Sequence, residues 1–210
     1  MTGGLRFEIL GPVRAYRGAE PVDPGPIKQQ AVLALLLLHS GEPVPVDRII
    51  GALWDGDAPE NGIDVVQRCV GALRRALDPS LVTLSRGGYQ LHAGETDVDA
   101  GLFRAALARA RTALQTGDFE LATGEIRQAL ALWQDEPLAG LTGPVFESAR
   151  ARLHEERATA SELLTKPIPA APFMASAPAT ASAPATAPSS SYPEPVDPWA
   201  GQELFPPGPF

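Results

Sequence analysis

A single cysteine in 210 residues, Cys69, excludes an internal disulfide and any metal site built from several thiolates. The three histidines, His39, His92 and His154, are scattered and do not form a metal cluster. Long apolar runs are missing as well. The longest, Ala31 to Leu38, is eight residues, whereas a membrane-spanning helix needs about 20. The N-terminus lacks the basic and apolar stretches of a secretion signal, so a cytoplasmic protein with no membrane partner is expected. Lysine is nearly absent, with 2 against 15 arginines, and Ala, Pro and Gly are abundant, a composition in keeping with a GC-rich genome. An excess of positive charge is also lacking: 17 basic residues face 25 acidic ones, for a net charge of −8. Residues 1–96 alone hold nine basic and eleven acidic side chains. That balance excludes a chain that coats nucleic acid indiscriminately; any DNA binding must use a local basic stripe. No phosphate-cradling glycine loop, nucleophile–base signature or metal-ligand spacing occurs, and Ser85 and His92 form no recognisable dyad. The expectation is a non-enzyme with no cofactor and no metal.

Hydrophobic periodicity supplies the fold. Leu5 to Leu10 alternates apolar and polar, the period of a half-buried strand. Val13–Tyr16 and Pro21–Val22 follow between turn residues, which predicts a small antiparallel sheet. Pro26 stands before a helix over about Ile27 to His39, stopped by Ser40-Gly41. A second helix is expected over Asp47–Trp54, burying Ile49, Ile50, Leu53 and Trp54, and a third from Asn61, a candidate cap with Asp64 as its weak reciprocal partner. The third helix would bury Val66, Val70, Leu73 and Leu77, spaced four, three and four. Leu81–Leu84 and Gly88–Leu91 can then pair as a hairpin across Ser85-Arg86-Gly87, where glycine permits positive φ. From Asp97 the pattern is purely helical. One helix uses Phe103, Ala106, Leu107, Ala110 and Leu114; the next, after Thr116-Gly117-Asp118, uses Phe119, Ala122, Ile126, Ala129, Leu130 and Trp133. A third runs over about Pro144 to Leu164. Past Lys166 the chain turns to Ala, Pro, Ser and Thr. Such a composition buries too little apolar surface to offset its ordering entropy, so residues 167–210 are expected to be a disordered tail with some polyproline II character. Trp199, Leu204, Phe205 and Phe210 leave room there for a short docking motif.

The arrangement is therefore an α+β winged helix at 5–94: a small N-terminal sheet, three helices and a C-terminal hairpin wing. A short all-α segment follows at 97–165. Gln67, Arg68, Arg74 and Arg75 fall on the face of the third helix opposite its apolar seam, the pattern of major-groove contact. The alternative is a solvated face in which Arg74 pairs with Asp78. Arg86 at the hairpin tip suits a phosphate or the minor groove, Thr83 a phosphate or strand packing, and Lys28 a phosphate near the first helix. Cys69, beside Arg68, is either a thiol activated by that cation or a semi-buried inert one. Trp54, Trp133 and Tyr89 are assigned to the core.

Four motifs carry a resemblance. Pro26-Ile27-Lys28-Gln29-Gln30-Ala31-Val32-Leu33-Ala34-Leu35-Leu36, Val46-Asp47-Arg48-Ile49-Ile50-Gly51-Ala52-Leu53-Trp54, Val66-Gln67-Arg68-Cys69-Val70 with Leu73-Arg74-Arg75-Ala76-Leu77, and Gly88-Tyr89 occur in order. Over about residues 5–165 the chain resembles the SARP-type, AfsR-like antibiotic-regulatory activators, which join an OmpR-type winged helix to a tetratricopeptide-like bacterial transcriptional activation domain. The resemblance implies an activator of a secondary-metabolite gene cluster in an actinobacterium, bound to tandem promoter repeats of double-stranded DNA. A homodimer is an assembly the sequence leaves open. It also implies that the loop between the second and third helices, with Asp55, Asp57 and Glu60, faces RNA polymerase.

Three departures stand out. Gly71-Ala72 replaces the family's usual Ser-Arg pair, Pro45 stands where a hydroxylated residue usually begins the second helix, and only about three helices remain of a bundle of about seven. A repeat array needs about three repeats to bury its faces, so the remnant is expected to expose apolar surface, to self-associate or to lean on the winged helix. These departures motivate an alternative reading: a non-enzymatic protein–protein adaptor with a degenerate winged helix.

Overall fold

The computed structural model describes residues 4–85 and 87–165. The expected tail, 167–210, and its docking motif lie outside the described residues.

Three short strands, β1 (Leu5–Glu8), β2 (Arg14–Arg17) and β3 (Glu20–Val22), form an antiparallel meander in that order. Leu5 and Phe7 point into the core and pair with Arg17 and Ala15. Helix α1 (Ile27–Leu38) follows. Its continuous run of buried residues from Ala31 to Leu37 explains why the sequence shows an apolar block here rather than a stripe. It is the central post of the domain, packed against α2 (Val46–Trp54) and α3 (Gly62–Ala76).

The wing is larger than a hairpin. A two-residue strand β4 (Val44–Pro45) joins β5 (Val82–Ser85) and β6 (Gly88–Leu91) in the order β4-β6-β5. Pro45 is tolerated because β4 is an edge. Ser85 pairs with Gly88, so the turn is two residues, Arg86-Gly87, and the first wing strand lies one residue later than the alternation suggested. Gly87 takes φ 79°, as a tight turn demands. Gly88 does not; it is glycine for a different reason. A β-carbon there would sit 2.2 Å from the Val44 carbonyl oxygen, so a side chain would push β4 off the sheet.

Two local expectations are corrected. Asn61 makes no side-chain cap to α3; the Gly62 N–H donates to the Pro59 carbonyl instead, and a backbone turn starts the helix. In α2 the fully buried side chains are Ile49 and Ala52, while Ile50, Leu53 and Trp54 are only half-buried.

Three helices complete the described chain: α4 (Asp99–Thr116), α5 (Phe119–Ala131) and α6 (Pro144–Thr165). Helices α4 and α5 form a hairpin whose turn reads directly from sequence. Gly117 ends α4 at φ 79°, and the Asp118 carboxylate accepts the Leu121 N–H at 3.0 Å to cap α5. Leu114 is only partly buried; its neighbour Ala113 takes the core position.

The short bundle closes by leaning on the N-terminal sheet. Asp99, buried at the start of α4, accepts the Ile9 N–H and the Leu10 N–H, each at 2.9 Å at the shortest, and the Ala100 N–H at 2.7 Å. The loop before α6 returns to the same stretch: Gln134, Leu138 and Ala139 donate their N–H groups to the carbonyls of Leu10, Ile9 and Gly11. One apolar core therefore runs from Phe7 and Leu36 through Phe103 and Ile126 to Phe146 and Leu153, and the described residues form a single compact unit.

Candidate nucleic-acid interface

Helix α3 presents two faces of opposite character. Val66, Cys69, Val70 and Leu73 are buried against the core, while Gln67, Arg68 and Arg75 are exposed. Arg68 and Arg75 are two turns apart, roughly 10 Å along the axis, in scale with a major groove about 12 Å wide. Neither has a carboxylate within ion-pair distance among the described residues. Between them Gly71 and Ala72 form the floor of a shallow groove shared with α1, whose remaining walls are Gln29, Asp64, Gln67, Arg68 and Arg75. The short residues that depart from the family pattern thus leave a concavity where a longer pair would fill it. Gln29 is a groove residue that sequence reasoning passed over; its neighbour Lys28 was the only signal for it.

The other candidates are already engaged. Arg74 is half-buried, and its Nε donates to the Val82 carbonyl at 2.7 Å, which ties α3 to the wing. It does not pair with Asp78, whose carboxylate accepts the Ser80 N–H and hydroxyl; those bonds hold its pKa below the usual value. Lys28 lies with its ammonium 4.2 Å from the centre of the Trp54 ring, a cation–π contact. Thr83 shares a 2.8 Å hydrogen bond with Nε2 of His92. Arg86 lies outside the described residues. One clamp was not foreseen: Arg17, on β2, donates to the Leu77 carbonyl at the end of α3, where the last carbonyls lack intrahelical partners.

The chemistry of Cys69 follows from its position. Burial raises its pKa, and the nearby Lys28 and Arg68 oppose that without overcoming it. The thiol is therefore held in its neutral, unreactive form. The loop from Asp55 to Glu60 is exposed throughout, and Asp55 ends α2 in the left-handed conformation at φ 50°. No helix among the described residues is long and apolar enough to cross a membrane.

Comparison with known proteins agrees with this architecture. Residues 24–91 match the family described as transcriptional regulatory protein, C terminal, and residues 98–168 match the bacterial transcriptional activator domain. The regulatory protein AfsR of Streptomyces coelicolor is 37% identical over 157 residues, 74% of this chain and 16% of AfsR. The regulatory protein DnrI of Streptomyces peucetius is 28% identical over 165 residues, 73% of this chain and 61% of DnrI. The solved structure of Mycobacterium tuberculosis EmbR in complex with a low-affinity phosphopeptide superposes with a TM-score of 0.72 at 30% identity, over 75% of this chain and 44% of that one. The chain thus spans between 16% and 61% of the length of these relatives. With an OmpR-type regulatory domain followed directly by a bacterial transcriptional activator domain, the chain belongs to the family of regulators that includes AfsR, DnrI and EmbR.

Proposed function

We propose that this protein is a sequence-specific DNA-binding activator that works in the cytoplasm on a secondary-metabolite gene cluster, binding tandem promoter repeats and contacting RNA polymerase. One observation carries the reading: Gln67, Arg68 and Arg75 stand exposed on a helix whose opposite face is locked into the core. In this reading the N-terminal half of α3 enters the major groove. Gln67 and Arg68 meet base edges, and Arg75 meets phosphate. Arg74 contributes indirectly, by fixing the wing relative to α3. The wing tip, with Arg86, reaches the neighbouring backbone. Asp55, Asp57 and Glu60 then stand beside the duplex, on the exposed loop that leads into α3, and offer polymerase an acidic surface. Tandem repeats would seat two copies side by side.

A mobility-shift titration against promoters of the chain's own gene neighbourhood, at two salt concentrations, tests this. Arg68→Ala should weaken specific binding by about 1–3 kcal/mol, a factor of roughly 5 to 150, and Arg86→Ala should weaken all sequences evenly while lowering the salt slope by about one. No promoter shift at moderate salt, together with an indifferent Arg68→Ala, would remove the proposal. Asp55→Asn with Asp57→Asn and Glu60→Gln should lower transcription in vitro at unchanged DNA affinity.

A further inference from the structure

A second cluster of arginines lies away from α3, where the winged helix meets the bundle. The end of α1, the first turn of α2 and one face each of α4 and α6 line a cleft of about 480 Å³. That is within the size range of sites for small organic ligands, ~300–1,000 Å³. Arg48 comes from α2, Arg104 from α4 and Arg152 from α6; the titratable groups completing the lining are Glu156 and His39. Glu156 is already taken, since Arg104 forks onto its two oxygens with Nε and Nη2, each at 2.9 Å. Arg48 and Arg152 have neither a carboxylate partner nor a hydrogen bond among the described residues. Elsewhere in the bundle Arg109 pairs with Glu125 at 2.8 Å and Arg150 with Glu136 at 3.3 Å, whereas Arg111 and Arg127 are exposed without a carboxylate partner among the described residues but lie outside any shared cleft with Arg48. The cleft therefore keeps two uncompensated guanidinium groups, one from each half of the molecule. Beside them is the first turn of α6, at Pro144 and Val145, a helix 22 residues long, whose N-terminal end carries partial positive charge. The remaining wall is Leu38, Ala149 and Leu153, with the Ser148 side chain among them.

We propose that this cleft binds a small phosphorylated molecule, with a phosphate or diphosphate held between Arg48 and Arg152 and the organic body against Leu38 and Leu153. Guanidinium groups suit that role because their planar forks match phosphate oxygens. A duplex is a poor fit to a concavity walled by helices on both sides. Because one arginine belongs to the winged helix and the other to the bundle, a bound dianion ties the two halves together. It sits on α2, the helix that leads into the Asp55–Glu60 loop. The binding claim does not depend on the DNA-binding proposal.

The test uses the full chain, with inorganic phosphate, pyrophosphate and ADP as probes, in thermal-shift and calorimetric titrations at matched ionic strength with sodium sulfate as the reference anion. Pyrophosphate and ADP should raise the melting temperature saturably and bind at least tenfold more tightly than sulfate. Arg48→Gln and Arg152→Gln should each cost tenfold or more in affinity. Both side chains are exposed and unpaired, so these variants should melt like the parent without ligand, and Arg127→Gln, on the exposed face of α5, should bind like the parent. Shifts no larger than those with sulfate, or equal losses in all three variants, would overturn the proposal. So would pyrophosphate displacing promoter DNA in a manner abolished by Arg48→Gln, since the cleft would then be part of the duplex interface.

Discussion

The ion-paired arginines of the bundle and the exposed arginines of α3 are used in opposite ways. In the bundle, Arg104, Arg109 and Arg150 each face a glutamate, and Arg150 also donates to the carbonyls of Pro137 and Leu141 at 3.0 and 2.9 Å. On α3, Arg68 and Arg75 face solvent with no carboxylate within ion-pair distance among the described residues. Arg104, Arg109 and Arg150 hold the bundle together, whereas Arg68 and Arg75 are left available. Summed charge hides this, because a half that is slightly acidic overall still presents an unpaired basic face. What marks a candidate interface here is how the unpartnered cations are grouped on one face, not how many cations there are.

The frame behind that face can be broken without touching a charge. Gly88→Val would drive a β-carbon into the Val44 carbonyl, and unfolding should become easier by about 3 kcal/mol, with DNA affinity lost as the wing detaches. Urea denaturation beside a mobility shift reads both; an unchanged midpoint would mean that β4 is dispensable.

The joint between the halves should respond to pH. Burial pushes the Asp99 carboxyl up to about 6, with Glu8 adding to the effect and the Ile9, Leu10 and Ala100 N–H groups opposing it. The folded pKa thus lies above the unfolded value, so the folded state holds the proton more tightly. Stability from this group falls as pH rises from about 4 to about 6 and is level beyond, by at most about 3 kcal/mol. Denaturation of the parent and of Asp99→Asn across that window checks the sign. A parent whose stability relative to Asp99→Asn rises over the window would contradict it.

A paired arginine and an unpaired one should then separate stability from binding. Arg150→Ala leaves carbonyls of the loop before α6 without their donor and should cost about 2 kcal/mol of stability, while the folded fraction keeps its DNA affinity. Arg68→Ala should do the reverse, moving stability by no more than about 0.5 kcal/mol. If both variants change the same quantity, the contrast between the halves is false. The smallest effect is expected at Gly71. An added β-carbon would meet only Nη1 of Arg75, at 3.6 Å, so Gly71→Ala should stabilise α3 by about 1 kcal/mol. A loss of DNA affinity in that variant would show that the groove floor must stay open.

Much of this was legible in the residues. Period four and three placed Val66, Val70, Leu73 and Leu77 inside, and all four are buried. The same periodicity set Gln67, Arg68 and Arg75 outward. Gly117-Asp118 announced the α4–α5 turn. The destinations of long side chains were not legible: Arg74 finds Val82, Lys28 finds Trp54, and Thr83 finds His92. Two of those partners are 8 and 9 residues away and the third is on another helix. The short strand β4 was also hidden, because two residues are too few to show alternation.

Sequence by itself determined the elements and the sidedness of each, since periodicity is a local property of a chain whose apolar groups must leave water. Tertiary structure decided how the pieces close: that Asp99 and the loop before α6 take up the backbone groups of Ile9 to Gly11, that Gly88 is small because β4 crosses it, and which arginines are spent on partners. Those outcomes depend on approaches between residues as far apart in the chain as Ile9 and Leu138, and no local pattern encodes such a distance.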